Sequence, residues 1–355
     1  MNCVDNNNIF VTGLCDPTGF NLSVNNYWTQ INVPETVTVP KQKPDIEQID
    51  SVNISVDIFR QKIITTPTSG GENQEGKSLT GRKLIVEGNL CQAITYVACD
   101  EKQTVHTAHF KVPFSAFIVL PINIPCSDGS STTRVPVEEV KFDVKACVED
   151  VYIEGFNKRQ IFKNVTLFLQ AIPVSIGTCE EEKDECLDDN IAIRGVCSSE
   201  KLAALLTDGE DTWTQIDIPE FLNVPCQKPD IEQLISVTTS VKIFSQKIIK
   251  TPLAEEENEE GTNLTGRKLI VEGVLRQKIL YTADVPEQSV HATHFDVPFS
   301  VFIVLPEDTL LSSKYKIEPC IEDIFVCALD KRQIFKNVTL FIKATKISCQ
   351  QSEEE

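Results

Sequence analysis

Most of the spacings that mark enzymes are missing from this chain. No GxSxG, Walker-type loop, GxGxxG or HExxH occurs, so acyl transfer, phosphate cradling, dinucleotide binding and zinc-dependent hydrolysis lack their usual scaffolds. Nothing in the sequence pairs carboxylates across a cleft, and no enzymatic activity or cofactor is expected. Thirteen cysteines are present without a single CxxC pair, which removes the spacing of a structural zinc knuckle. No apolar run approaches the roughly 18–20 residues that span a bilayer, so membrane insertion is not expected. Residues 1–10 have neither the positive nor the apolar segment of a secretory signal, which predicts synthesis in the cytoplasm. Positive charge is in deficit: 33 Lys and Arg against 52 Asp and Glu leave a net charge of -19. With no basic stripe, nucleic acid is not an expected partner. The acidic runs at 180–185, 255–260 and 353–355 read as solvated loops and a tail.

What the chain does contain, it contains twice. Gln42 to Gln48 (QKPDIEQ) recurs at Gln227 to Gln233, and Gly81 to Pro121 recurs as Gly266 to Pro306 with 27 of 41 positions identical, at an offset of 185. The length prior also favours two domains. The predicted boundaries are a leader arm at 1–28, a first domain at 29–179, an acidic linker with a second leader at 180–212, a second domain at 213–349 and a tail at 350–355.

Val52, Ile54, Val56 and Ile58 alternate with polar residues, as do Val237, Thr239, Val241 and Ile243. Such alternation in β-branched residues predicts half-buried strands of antiparallel sheets. Leu84, Val86, Leu90, Ile94 and Tyr96 share one face of a long strand, and Phe110, Val112, Phe114, Ile118 and Leu120 one face of the next. Gly88 and Gly273 interrupt these runs and predict bulges or bends. KRQIFKNVTLF at 158–168 returns at 331–341 with an offset of 173. Copy two therefore lacks 12 residues, and they fall opposite 122–144, which reads as a surface loop. No amphipathic helix of ordinary length is evident. The fold class expected is all-β, two tandem antiparallel sandwiches or barrels.

All four histidines lie in one repeated motif, at His106 and His109 and at His291 and His294. On a strand, residues three apart point to opposite faces, so packed or hydrogen-bonded side chains are expected rather than a metal site. Arg82 and Arg267 open strands, and the sequons at Asn21, Asn53, Asn164, Asn263 and Asn337 carry no glycosylation argument without a secretory signal. The cysteines are more informative. Cys3 matches Cys186, Cys15 matches Cys197, Cys147 matches Cys320, and Cys179 matches Cys349, while Cys91, Cys99, Cys126, Cys226 and Cys327 belong to one copy only. The leader pairs, Cys3 to Cys15 and Cys186 to Cys197, stand in polar, Asn- and Asp-rich sequence. This predicts flexible arms that reach a neighbouring chain and lock a head-to-tail assembly by disulfides. The odd count leaves at least one thiol free or bonded to another chain.

The order PDIEQ, alternating strand, LIVEG, Tyr96 or Tyr281, then VHxxHFxVPFSxFIVLP resembles the SPOCS domain of clostridial-type spore-envelope proteins, over about Thr29 to Ile172 and Thr214 to Ile347. The resemblance implies a structural or adaptor role in the spore coat, exosporium or spore surface. No LysM segment is recognisable, so the peptidoglycan binding that such a segment would supply is not implied. Synthesis in a mother cell that later lyses would reconcile the missing signal with the many thiols. The reading is a self-assembling structural subunit, in the form of a fibre or appendage, cross-linked through Cys3, Cys15, Cys186 and Cys197. The alternative is a soluble adaptor whose two domains recruit other spore coat proteins.

Overall fold

The structure is a computed structural model that describes residues 9–20, 22, 26–127, 132–176, 191–206, 211–258 and 260–347. The chain forms two compact units: 1–63 with 84–184, and 64–83 with 185–355. This division follows the repeat except for 64–83, which belongs to the first copy in sequence and to the second unit in space.

The first repeat comprises β1 (Phe10–Thr12), β2 (Trp28–Thr38), β3 (Ile46–Thr68), β4 (Thr80–Ala98), β5 (Val105–Leu120), β6 (Asn123–Ser127), β7 (Thr132–Pro136), β8 (Val140–Gly155) and β9 (Gln160–Ile176). They form an open sheet ordered β1-β3-β4-β5 and a second ordered β2-β9-β8. The second repeat comprises β10 (Ala192–Arg194), α1 (Ser199–Ala204), β11 (Trp213–Asn223), β12 (Ile231–Leu253), β13 (Thr265–Ala283), β14 (Val290–Val304), β15 (Tyr315–Ala328) and β16 (Gln333–Lys346). Its sheets have the same plan, β10-β12-β13-β14 and β11-β16-β15. Both domains are all-β sandwiches with open edges, so the barrel half of the expectation is not realised.

The alternation seen in sequence is the alternation of burial. Leu84, Val86, Leu90, Ile94 and Tyr96 are buried with Val112, Phe114, Ile118 and Leu120, and Val33, Val165, Leu167 and Leu169 meet them from the facing sheet. Gly273 pairs with Ile243 at a register shift of the β12–β13 ladder, and at Gly88 and Gly273 alike the lack of a side chain serves packing. A Cβ would stand 2.7 Å from the Phe114 ring at Gly88 and 2.5 Å from the Phe299 ring at Gly273. The irregularity in the second copy lies in the partner strand, between Ile243 and Ser245. The twelve extra residues of copy one form the β6–β7 hairpin, in which Ile124 pairs with Val135.

Each interior also holds a buried ion pair. Glu35 faces Lys163 directly across the β2–β9 ladder, with Lys163 Nζ 2.8 Å from the carboxylate and both side chains inaccessible. Gln92, on β4 of the opposite sheet, donates to Glu35 at 2.6 Å and accepts from Lys163. Copy two repeats the set: Glu220 faces Lys336 at 3.6 Å, and Gln277 of β13 donates to Glu220 at 2.6 Å. Burial holds the Lys163 amine below its ordinary range and lowers Lys336 to about 8, although a carboxylate stands beside each. Desolvation therefore outweighs the attraction, as expected where two charges leave water. Lys336→Met should destabilise the second domain by about 3–5 kcal/mol, because Glu220 is left buried without its cation. Lys336→Met combined with Glu220→Leu should recover most of that loss. Denaturant unfolding of the single and double variants would decide it.

Candidate functional site

The described part of each leader is a strand rather than a free arm. Phe10 to Thr12 pair in parallel with Ser51 to Asn53, and Ala192 to Arg194 with Ser236 to Thr238. The Gly-Leu-Cys and Gly-Val-Cys sequences then turn the chain off the sheet edge. Gly13 has φ +95° and Gly195 φ +106°, and a Cβ would fall 1.8 Å from the Ile54 oxygen and 1.9 Å from the Thr239 oxygen. Only glycine fits that combination of left-handed backbone and close approach.

The turn delivers a cysteine to the other sheet. Cys15 N–H donates to the Val148 carbonyl at 3.0 Å and Cys197 N–H to that of Ile321 at 2.9 Å. Cys15 is bonded to Cys147 on β8, with Cα atoms 5.3 Å apart, and Cys197 to Cys320 on β15, at 5.8 Å. Each leader is thus a covalent strap from one sheet of its own sandwich to the other. Cys15 and Cys197, expected to reach a neighbouring chain, each bond within their own domain in this structure. Cys3, Cys179, Cys186 and Cys349 lie outside the described residues. Cys91, Cys99, Cys226 and Cys327 are thiols outside any disulfide, of which Cys99 and Cys226 are exposed.

The histidines sit as strand residues. His106 stacks on Tyr96 with centroids 6.0 Å apart and its Nε2 lies 2.9 Å from Thr104 Oγ1. His291 repeats this against Tyr281 at 5.9 Å, with Ser289 Oγ at 3.0 Å. His109 and His294 are exposed. Among the described residues no three His, Cys, Asp or Glu side chains converge as a metal site would require. Asp45 and Asp230 each bind an arginine of the KRQ motif, Arg159 at 3.2 Å and Arg332 at 2.8 Å, while Tyr96 and Tyr281 donate to the Pro44 and Pro229 carbonyls at 3.0 Å. These contacts fix the PDIEQ corner.

The most elaborate polar site is one that the motifs did not disclose, the seat of the 64–83 hairpin within the second unit. Its floor is Trp213, Phe341, Cys320 and the leucines Leu202, Leu205 and Leu206, and Leu79 of the hairpin is buried among them. Ser198, the N-cap of α1, accepts from Lys201 N–H and starts the short helix that supplies these leucines. Asn73 donates its side-chain amide to the Trp213 carbonyl at 3.0 Å, and Gln74 N–H donates to the Asp211 carbonyl at 3.1 Å. Lys83, at the base of the hairpin, is fully buried with Glu322 at 2.9 Å. Gln215 holds the other oxygen of Glu322 at 2.7 Å. The usable signal was the recurrence of Asn73, Glu75, Gly76, Leu79 and Lys83 at 258, 260, 261, 264 and 268, in a stretch whose polarity reads simply as loop.

Burial lowers the Lys83 amine despite Glu322 and lifts the nearby Asp217 carboxyl to about 6, against the hydrogen bonds of Thr339 and Asn337 and the charge of Lys83. An aspartate raised above its unfolded value of 3.8 keeps its proton in the native state while the unfolded chain has lost it. Stability therefore falls as pH climbs from about 4 to about 6 and is level above that. Copy one has Asn32 at this position, with Thr166 donating to it at 3.1 Å, so an amide is compatible with the site. The stability advantage of Asp217→Asn over the natural chain should grow by about 2–3 kcal/mol between pH 4 and pH 7. A pH-independent difference in unfolding free energy would refute that assignment.

Non-reducing peptide mapping should recover Cys15 linked to Cys147 and Cys197 linked to Cys320. Cys15→Ser with Cys147→Ser should cost about 2–5 kcal/mol, as removal of a bond that closes so long a loop does. Peptides joining Cys15 to any residue of a second chain would overturn the strap.

The SipL SPOCS-domain family matches the chain at two places, 45–153 and 230–329. Both lie inside the stretches whose motifs suggested it, and together they cover more than half of the sequence. No curated protein and no solved structure matches. Two family domains, each carrying the LIVEG strand, the stacked His–Tyr pair and the PDIEQ corner, make this a tandem SPOCS-domain protein, and the chain belongs to the SipL SPOCS-domain family.

Proposed function

We propose that this protein is a structural subunit of the spore surface that assembles with copies of itself, as a fibre or appendage, and is reinforced by disulfides. The observation that carries the reading is the duplicated SPOCS sandwich strapped by a disulfide in each copy. Family membership supports a spore-associated role. The straps support a final location outside a reducing cytosol, where such bonds persist. His106 and His291 stack on tyrosines, and Glu35 and Glu220 face lysines inside the sandwiches, which are packing roles that suit a structural subunit. With Cys15 and Cys197 bonded within their own domains, the candidates for covalent links between chains are Cys3, Cys179, Cys186 and Cys349 together with the exposed Cys99 and Cys226.

Other coat proteins are a second class of partner, and an adaptor that recruits them is the competing reading. Immunogold labelling of sporulating cells, with extraction of purified spores, separates the two. The structural reading expects label over the spore coat, exosporium or surface, and release as a ladder of multiples that a reductant collapses to the single chain. Label confined to vegetative cytoplasm would overturn the spore assignment. Release as one chain bound to one other coat protein, without self-multiples, would replace subunit by adaptor.

A further inference from the structure

The seat that receives the first hairpin has a counterpart in the first unit, and the hairpin that fills it has a counterpart in the second. The two counterparts are less covered than the originals, and in the first unit Phe20 stands edge-on to the buried Phe168 at 5.2 Å where the second has the leucines of α1. Trp28 and Phe168 lie 5.9 Å apart at an interplanar angle of 31°, as Trp213 and Phe341 do at 5.9 Å and 33°. Trp213 is 2% exposed under the hairpin, whereas Trp28 is 43% exposed. Gln30 grips Glu149 at 2.9 Å and 3.0 Å, as Gln215 grips Glu322. Glu322 has a buried lysine as its cation, and Glu149 is exposed. The Cys15–Cys147 bond lies under this face as Cys197–Cys320 lies under the other.

The second hairpin is built to the same pattern before it touches anything of this kind. Gly76 N–H donates to the Asn73 carbonyl and Gly261 N–H to that of Asn258, both at 2.9 Å, and Ser69 and Ala254 N–H groups bond the Leu79 and Leu264 carbonyls, both at 2.9 Å. The Asn258 side chain accepts from Thr262 N–H at 2.9 Å, as Asn73 does from Lys77 N–H at 2.8 Å. Such preorganisation lowers the ordering cost of docking. Asn258, Leu264 and Lys268 nevertheless remain accessible where Asn73, Leu79 and Lys83 are buried. The outer face of the strand behind the hairpin shows the same asymmetry, with Ile85 buried on β4 and Ile270 half-exposed on β13.

We propose that the 249–268 hairpin of one chain seats on the Trp28–Phe168–Glu149 face of another copy, reproducing the contact that 64–83 makes inside the second unit. Leu264 enters beside Trp28, Asn258 reaches the Trp28 carbonyl, and Lys268 leaves its place 3.8 Å above the Phe302 ring to pair with Glu149. The contact is heterologous: each chain offers a second hairpin, which touches the first through the Asn263 N–H and the Glu75 carbonyl at 3.2 Å and leaves Leu264 and Lys268 accessible, and one open tryptophan face, so association runs head to tail into a ring or an open filament. It deepens the self-assembly reading by naming the surfaces. It rests on their geometry rather than on location in a spore.

Charge exchange tests it. Full-length chain, Lys268→Glu, Glu149→Lys and an equimolar mixture of the two variants would be compared by sedimentation velocity and negative-stain microscopy, with thermal unfolding as the check on folding. The natural chain is expected to form a concentration-dependent series of multimers. Each variant alone should associate at least tenfold more weakly, and the mixture should regain assembly because the variant hairpin then meets the variant face. Leu264→Glu gives an independent lesion on the hairpin, with the same expected loss. Folded variants that assemble like the natural chain, a natural chain that stays monomeric at high concentration, or a mixture that fails to recover would each overturn the proposal. Assembly by this contact in a protein absent from spores would sink the spore reading and leave this one standing.

Discussion

In each sandwich the interior turns on a lysine and a glutamate that face one another across one sheet while a glutamine of the opposite sheet holds them. Burial penalises both charges, so the set is a poor source of net stability. It does make the alternatives worse. Sliding β2 against β9 by one residue would put Glu35 outside and leave Lys163 without its carboxylate beside the Phe110 ring, and Lys336 would likewise lose Glu220. Because a single-residue slip reverses every side chain on a strand, this one interaction fixes the register on which the face-to-face match of the apolar residues depends.

The strands themselves were legible in sequence for the reason just given. Alternation at 90–98 and 114–120 is a direct print of a sheet with one buried face, whereas 83–90 is buried on both, and the duplication showed each print twice. The leaders were legible as units but not as structures. Cys15 and Cys147 are 132 residues apart, and nothing local in either neighbourhood encodes the other. Their polar surroundings suggested a mobile arm, whereas the feature that decides the outcome is Gly13, whose missing Cβ lets the leader cross the Ile54 carbonyl.

The hairpin seat was hidden for a different reason. A polar, glycine-bearing stretch between two strands has the composition of a solvated loop, and 64–83 keeps that composition while being buried, because its polar groups are matched one by one. Asn73 finds the Trp213 carbonyl and Lys83 finds Glu322. Gly76 could have raised the question, since a Cβ there would stand 2.1 Å from the Gly261 oxygen. That clash is visible only once the two copies' hairpins are placed side by side.

The straps also decide how the protein would bear a pull. A disulfide between residues 132 apart in copy one and another between residues 123 apart in copy two withhold the enclosed chain from extension, however far the sandwiches unravel. At about 3.4 Å per extended residue, each bond keeps back roughly 400–450 Å of contour length. Tension entering near the N-terminus passes from Cys15 straight to Cys147, and from Cys197 straight to Cys320, so the load travels through sulfur and leaves the long β3–β4 and β12–β13 hairpins slack. A strand of such units would gain hundreds of ångströms of extensible length per unit on reduction, beyond what the residues outside the two loops already allow.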